Sequence, residues 1–463
     1  MISRRAVLGG GAAVLALGAP SVSRATSPRR LITQTAQHQI APAPYPPTDI
    51  WRYAMDGKTG AATGPVIRAP QGDTLSLRLE NGLADPTTIH WHGIRITNAM
   101  DGVPDLTQAP VGPGQTFDYV FDLPDAGTYW YHSHVDSVQQ IARGLHGPLI
   151  VDETESPDVD DDLVLVLDDW RLDAEAQIAD NFGNRHDMSH AGRIGNVVTT
   201  NGDMDWRHPV PQGARLRLRL INVANARVFD LGLAGLTGWT VAVDGMPLAA
   251  PRPLDQRFSI GPAQRMDVIV DISAPVGDEI GLVEFIRGEP YAQATFIVKE
   301  GGTARSTAPA ALPANPNHGL PDLDGARRFE VRMQGGAMRG LPEAMTGGVV
   351  KDGRTLAMEG LFWALSGQAG RPEAPLAEVA TGETIRIDYV NDTAFPHAMH
   401  LHGQHFWELG AEDTLGDFRD TTLVQPGQTR ATALVAHNPG DWLLHCHMLA
   451  HHAAGMGTWL KVV

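Results

Sequence analysis

The sequence predicts an all-β protein built from three consecutive β-sandwich domains. Three observations lead there. The chain has 463 residues, too many for one ordinary hydrophobic core. Its 50 glycines and 33 prolines exceed the usual share of roughly 12%, which favours many turns. One ten-residue pattern, Gly-x-x-h-x-h-x-h-x-Asn with h apolar, occurs three times at wide spacing. A third of such a chain is an ordinary size for a β-sandwich. The formal charge of −17 argues against a nucleic-acid partner, because phosphate binding needs a basic face.

From the N-terminus, residues 1–25 have the features of a signal peptide. Arg4 and Arg5 precede the apolar run 6–19, which is too short to span a bilayer as an ordinary helix, and Ser23 and Ala25 are placed for cleavage after Ala25. The arginine pair resembles a twin-arginine export signal; the alternative is a general-secretion signal with two arginines by chance. The expectation is a periplasmic protein passed through export machinery, with no membrane span elsewhere. Cys446 is the sole cysteine, so no internal disulfide can form.

The first domain is expected over residues 26–153, the second over 154–305 and the third over 306–463. Each carries one copy of the pattern: residues 72–81 with Leu75, Leu77 and Leu79, residues 213–222 with Leu216, Leu218 and Leu220, and residues 382–391 with Ile385, Ile387 and Tyr389. Strict alternation predicts a strand with one buried face. Residues 153–160 and 301–321 are expected as linkers, and the acidic run 158–162 as a solvated one.

Nine and eleven residues beyond Asn81 stand His90 and His92, and the same steps beyond Asn391 reach His400 and His402. Beyond Asn222 they reach Leu231 and Leu233. A second repeat behaves alike. Pro113-Gly114-Gln115-Thr116 matches Pro426-Gly427-Gln428-Thr429, and in the same register His132, Ser133 and His134 match His445, Cys446 and His447. Pro262-Ala263-Gln264 is a worn counterpart, followed by Gly281 and Val283 where the outer domains have histidines. The middle domain is therefore expected as a spacer between two histidine-bearing domains.

Residues two apart on a strand share a face. His90/His92, His132/His134, His400/His402 and His445/His447 can each offer two imidazoles to one site. Imidazole suits copper, zinc, iron and nickel. Four such pairs, symmetric between two domains, are hard to explain as packing. Cys446 points away from His445 and His447 by alternation, toward a second site that His397, His451 and Met456 complete. Two histidines, a thiolate and a weak axial methionine make a blue-copper centre, and thiolate ligation protects the lone thiol. Thr87, Ser133, Val138 and Arg143 occupy the equivalent positions of the first domain, which therefore lacks this second site.

At these residues the sequence resembles the three-domain multicopper oxidases, a family that includes laccases, bilirubin oxidases and periplasmic cuprous oxidases. The resemblance rests on His90-Trp91-His92-Gly93, His132-Ser133-His134, the segment from His397 through His400 and His402 to Gly403, and His445-Cys446-His447 through His451 to Met456. It implies three cupredoxin-like Greek-key β-sandwich domains and four coppers per chain. Type 1 copper would be held by His397, Cys446 and His451 with Met456 axial, and type 2 copper by His90 and His400. The two type 3 coppers would take His92, His132 and His447, and His134, His402 and His445. It also implies one-electron oxidation of a small reducing substrate coupled to reduction of dioxygen to water. By resemblance Asp101 would assist proton delivery, Cys446 would transfer electrons, and His451 would admit them at an exposed edge.

Two departures stand out. Ala398 follows His397 where the family usually has proline, and His452 follows His451 where cuprous oxidases often have an acid. Phenols and aromatic amines are the expected donors. Cu(I) is the rival, resting on Met333, Met338, Met345 and Met358, although Phe395 replaces a methionine that cuprous oxidases can present. His186, Met188 and His190 form another soft-ligand cluster, read as a solvated loop before a copper-capture site. His38, His146, His208, His318, His405 and His437 receive no special role. Intact ligands argue against a copper-free cupredoxin scaffold of the cell envelope. A two-copper nitrite reductase would have only two such domains per chain and no use for four His-x-His pairs.

Overall fold

The three pattern copies become three equivalent strands. Thr74–Asn81, Arg215–Asn222 and Thr384–Asn391 each pair in parallel with the first long strand of their unit, Arg29–His38, Asp161–Trp170 and Arg327–Gly335. Each pairs on its other edge with an antiparallel strand, Thr116–Asp122, Arg265–Asp271 and Thr429–Val435. The computed structural model describes residues 28–56, 62–316 and 319–463. The export segment expected over residues 1–25 and His318 lie outside the described residues. Among these residues there are 32 strands and only four α-helices, none longer than six residues. The chain is all-β with cupredoxin-like sandwiches. No helix is long and apolar enough to cross a membrane.

Six larger sheets form three facing pairs in sequence order, of four and four, six and five, and six and five strands. In the first unit the sheet Thr48–Met55, Arg29–His38, Thr74–Asn81, Thr116–Asp122 faces the sheet Ile67–Pro70, His146–Asp152, Gly127–His132, His90–His92. In the third, Ala377–Val379, Gly457–Val462, Gly440–Cys446, His397–Leu401 and Thr421–Val424 lie in that spatial order. The histidine-bearing strands therefore lie side by side: His90 pairs with His132, and His400 with His445. At the positions of the middle unit equivalent to His90/His92 and His400/His402, Leu231 lies in the apolar core and Leu233 packs against it.

Alternation holds in the outer strands, where Leu75, Leu77, Leu79 and Ile385, Ile387, Tyr389 are buried. The expectation of one buried face fails for Arg215–Asn222, which is buried throughout. Its polar face meets other parts of the chain instead of water. Arg217 bonds Asp267 (2.6 Å) and Glu153 (2.7 Å), and Arg219 bonds Asp162 (2.7 Å) and Thr128 of the first unit (3.0 Å). The acidic run 158–162 is accordingly not a free linker: Asp158 and Asp160 pair with Arg305, and Asp162 bridges Arg68 and Arg219.

Candidate metal centre

The eight histidines of the four pairs are all buried where the first and third units meet. His92 stacks on His400 with ring centroids 3.8 Å apart, and His90 lies 3.9 Å from His402. Donor atoms of His92, His132 and His447 fall within 4.8 Å of one another, as do those of His134, His402 and His445, and those of His90, His92 and His400. Asp101 joins His90 and His402 in a further such group.

Hydrogen bonds fix which ring nitrogen faces the centre. His90 Nδ1 donates to the Asp101 carbonyl (2.9 Å), His132 Nδ1 to the Ser133 carbonyl (2.9 Å), and His400 Nδ1 to the Asp420 carbonyl (3.0 Å). Their Nε2 atoms are buried without partners. His92 is turned the other way: Nε2 donates to Asp420 Oδ1 (3.2 Å) and Nδ1 is left unpartnered. Both ring nitrogens of His447 are unpartnered. A neutral imidazole has one N–H and one lone pair. His402 donates Nδ1–H to the Asp101 carboxylate (3.0 Å) and His445 donates Nδ1–H to the Cys446 carbonyl (3.0 Å), yet their Nε2 atoms face each other at 3.1 Å. Two lone pairs that close repel unless a cation lies between them. Outer hydrogen bonds of this kind are what metal-ligating histidines ordinarily make.

Burial first, and the neighbouring rings second, hold His132, His134, His402, His445 and His447 well below the ordinary histidine value. The rings are therefore neutral and able to ligate.

Cys446 ends the strand Gly440–Cys446, and its sulfur faces the opposite side from the cluster. Sγ lies 3.6 Å from His397 Nδ1 and 3.7 Å from His451 Nδ1, and those two nitrogens are 3.1 Å apart. His397 Nε2 donates to Thr393 Oγ1 (2.7 Å) and His451 Nε2 to the His190 carbonyl (2.6 Å). Again two lone pairs converge, here beside a sulfur. Met456 is buried in the same core, and its carbonyl accepts from Cys446 N at 3.2 Å. Burial pushes the Cys446 thiol up to about 12, so deprotonation needs a cation at the site. The donor set fits copper. In the first unit the equivalent space is filled by a hydrogen-bonded group: Thr87 and Ser133 both donate to Gln140 Oε1 (2.8 and 2.5 Å). Val138 is buried in a small apolar cluster with Ile141 and Leu449.

The expected exposed edge of His451 is absent. His451 is fully buried, because the segment 185–190 of the middle unit lies over it and Trp363 packs on its ring at 4.3 Å. Trp363 Nε1 in turn donates to the Met188 carbonyl (2.6 Å). That segment is the helix Arg185–Ser189, so His186 and His190 stack on one face (4.0 Å) while Met188 turns to the core. The three soft donors do not converge. Met333 is also a core residue, whereas Met338, Met345 and Met358 are exposed.

Sequence reasoning missed Asp420, which accepts from His92 and, through its carbonyl, from His400. Against the burial that would raise it, Arg265 and then His92 hold its carboxyl well below the usual range. It also missed Arg265 itself, Thr421 and Trp130, and gave no role to His405, which lies 3.6 Å from Asp420.

Three family models, each described as multicopper oxidase, match residues 38–156, 161–278 and 346–463 in turn. Multicopper oxidase MmcO of Mycobacterium tuberculosis is 33% identical over 431 residues, which cover 86% of this chain and 81% of that protein. A multi-copper oxidase from Pseudomonas thermotolerans superposes with a TM-score of 0.81 at 32% identity, covering 94% of this chain and 98% of the other. Lac15 from a marine microbial metagenome superposes with a TM-score of 0.76 at 39% identity, covering 94% and 100%. The chain belongs to the multicopper oxidase family.

Proposed function

We propose that this oxidase is laccase-like, taking electrons singly from phenols or aromatic amines and delivering them to dioxygen, with His397, Cys446, His451 and Met456 holding the entry copper. In this reading His90 and His400 hold type 2 copper. His92, His132 and His447 hold one type 3 copper, and His134, His402 and His445 the other. The units carrying them are residues 26–153 and 306–463, with 154–305 between. Copper, when bound, supplies the one-electron couple and the place where dioxygen is reduced to water.

The observation that carries the reading is the neighbourhood of Cys446. Its sulfur faces one pair of lone pairs, while His445 and His447, its chain neighbours, face two other ligand groups. His445 Nδ1–H also bonds the Cys446 carbonyl, so a covalent path and a hydrogen-bonded path join the two centres. The Asp101 carboxylate accepts from His402 Nδ1 and approaches His90 Nδ1 at 3.2 Å. It orients two ligands and is the group placed to pass protons inward at its Oδ atoms.

A donor does not touch His451. Electrons reach it across the His190 peptide, beneath a surface formed by His186, His190, Ile194, Phe395 and Arg171. Stacked imidazoles and Phe395 suit a flat aromatic donor. The cuprous-ion alternative rests on Met338, Met345 and Met358, which are exposed, whereas Met333 is in the core. Oxygen uptake with a phenol, an aromatic amine and Cu(I), each with and without added Cu(II), separates them. Phenol or amine turnover independent of added Cu(II) is expected; turnover of Cu(I) alone would overturn the donor class. Residues 1–25 support periplasmic export by the twin-arginine route. Sequencing the mature N-terminus after expression is expected to show cleavage after Ala25.

A further inference from the structure

The middle copy of the repeated turn is not a relic. The turns 112–115, 261–264 and 425–428 close alike: Gln115 N, Gln264 N and Gln428 N donate to the carbonyls of Gly112, Gly261 and Gln425 at 3.0 to 3.1 Å. In the outer units the next residues, Thr116 and Thr429, are exposed. In the middle unit the turn is buried and the next residue is Arg265, with no exposed surface on its side chain. Ala263 packs in one cluster with Trp130, whose indole lies 4.3 Å from the His132 ring and 5.2 Å from that of His92. Gln264 Nε2 donates to the Thr421 carbonyl (3.0 Å).

Arg265 joins all three units. Nε donates to the Thr128 carbonyl of the first (3.1 Å), while Nη1 and Nη2 grip Asp420 Oδ1 (3.0 Å) and Oδ2 (2.6 Å) of the third. Nη1 also reaches the Ala263 carbonyl (3.1 Å), and Arg265 N donates to Asp244 Oδ1 (2.9 Å). Asp420 Oδ1 accepts in addition from Thr421 Oγ1 (2.7 Å) and His92 Nε2 (3.2 Å), and the Asp420 carbonyl accepts from His400 Nδ1 (3.0 Å). Gly93, next to His92, leaves the room: a Cβ there would sit 2.2 Å from Arg265 Nη2 and 2.7 Å from Asp420 Oδ2.

We propose that Arg265, from the unit that holds no copper ligand, is a positioning residue for the cluster: its fork fixes the Asp420 carboxylate, which fixes His92 with Nδ1 inward and, through its own backbone, His400. A free carboxylate can rotate about its last bond, whereas one gripped at both oxygens cannot. His92 is the ligand turned opposite to its neighbours, so it depends most on a fixed outer acceptor. The inference rests on the proposed ligand roles of His92 and His400.

The test uses the full-length copper-loaded protein, with Arg265→Gln and Arg265→Lys beside Arg252→Gln, an exposed arginine of the same unit paired with Asp417. Copper per chain is measured against rising chelator, together with the thiolate-to-copper visible band and the type 2 electron paramagnetic resonance signal. Arg265→Gln is expected to lose cluster copper at about 10- to 100-fold lower chelator, the range for lost outer-shell partners, with an altered type 2 signal and an intact visible band. Arg265→Lys keeps the charge without the fork and is expected to show the same change in smaller degree; it decides the matter if the glutamine variant fails to fold. Wild-type retention and an unchanged type 2 signal in the folded variants would overturn the proposal, even if their melting temperatures fell. A wild-type chain lacking the visible band or the cluster copper would instead overturn the ligand roles.

Discussion

Cys446 is held as a thiol until a metal arrives. It has no exposed surface, and burial pushes its pKa up to about 12, making it a weaker acid. In the copper-free folded protein it is therefore expected to resist a thiol reagent at neutral pH and to react at once on unfolding. Rapid labelling of the folded chain would contradict the buried site. Asp101 makes a different prediction. Its carboxylate holds His402 and approaches His90. Asp101→Ala is expected to lower oxygen turnover by about 10²- to 10⁴-fold, the usual worth of a placed proton-transfer group, with the visible band retained. Unchanged oxygen turnover would remove the role. At this scale the clustering of the proposed ligands was legible, because chemistry fixes their type and alternation fixes their spacing. Asp420 was not, since nothing near it in the chain hints that His92, far away in sequence, donates to it. The covering of His451 was not legible either, because a carbonyl has no sequence signature and its residue, His190, belongs to another unit.

The elements were legible where one device recurs. Asn81, Asn222 and Asn391 each donate Nδ2 to two carbonyls, those of Asp85 and Val111, Arg227 and Ile260, and Phe395 and Val424. Each also accepts a backbone N–H two residues on. A buried amide at the end of the strand thus pins the turn opposite, which is why Asn closes all three copies. Asn222→Ala would leave the Arg227 and Ile260 carbonyls and the Ala224 N–H without that partner, each costing roughly 1–3 kcal/mol if it stays buried. The variant is expected to lose about 2–4 kcal/mol in urea unfolding, with the visible band intact because none of the proposed copper ligands lies in the middle unit. A loss under about 0.5 kcal/mol, the size of an ordinary surface change, would show the amide to be dispensable. What misled was the solvent assumption. Arg215, Arg217 and Arg219 look like a wet face between three leucines, yet a neighbouring unit and the linker cover them. Periodicity reports which residues alternate; what covers the second face is decided by packing between units.

At the scale of the molecule, the cluster places buried histidines from two units around one seam, and acid acts on several of them together. Burial holds His451 and His452 down to about 4 and His405 to about 3, against an ordinary value of 6.5. A histidine lowered on folding binds fewer protons folded than unfolded. Its contribution is complete above 6.5 and is lost as pH falls through the interval down to the folded value. The buried carboxylates Asp169 and Asp244, raised to about 6 by burial, act in the opposite direction: their protonation in the fold favours it as pH falls from about 6 toward 4. The histidines outnumber them, since His132, His134, His402, His445 and His447 are lowered as well. The copper-free chain is therefore expected to keep a constant urea midpoint above pH 7 and to lose stability between 6.5 and 4, with more than one proton taken up per chain unfolded. Copper competes with those protons for the same nitrogens, so the loaded chain should hold its midpoint to lower pH. A copper-free midpoint that stays flat from pH 7 to 4 would mean that solvent reaches the seam and that the rings are not held neutral by burial.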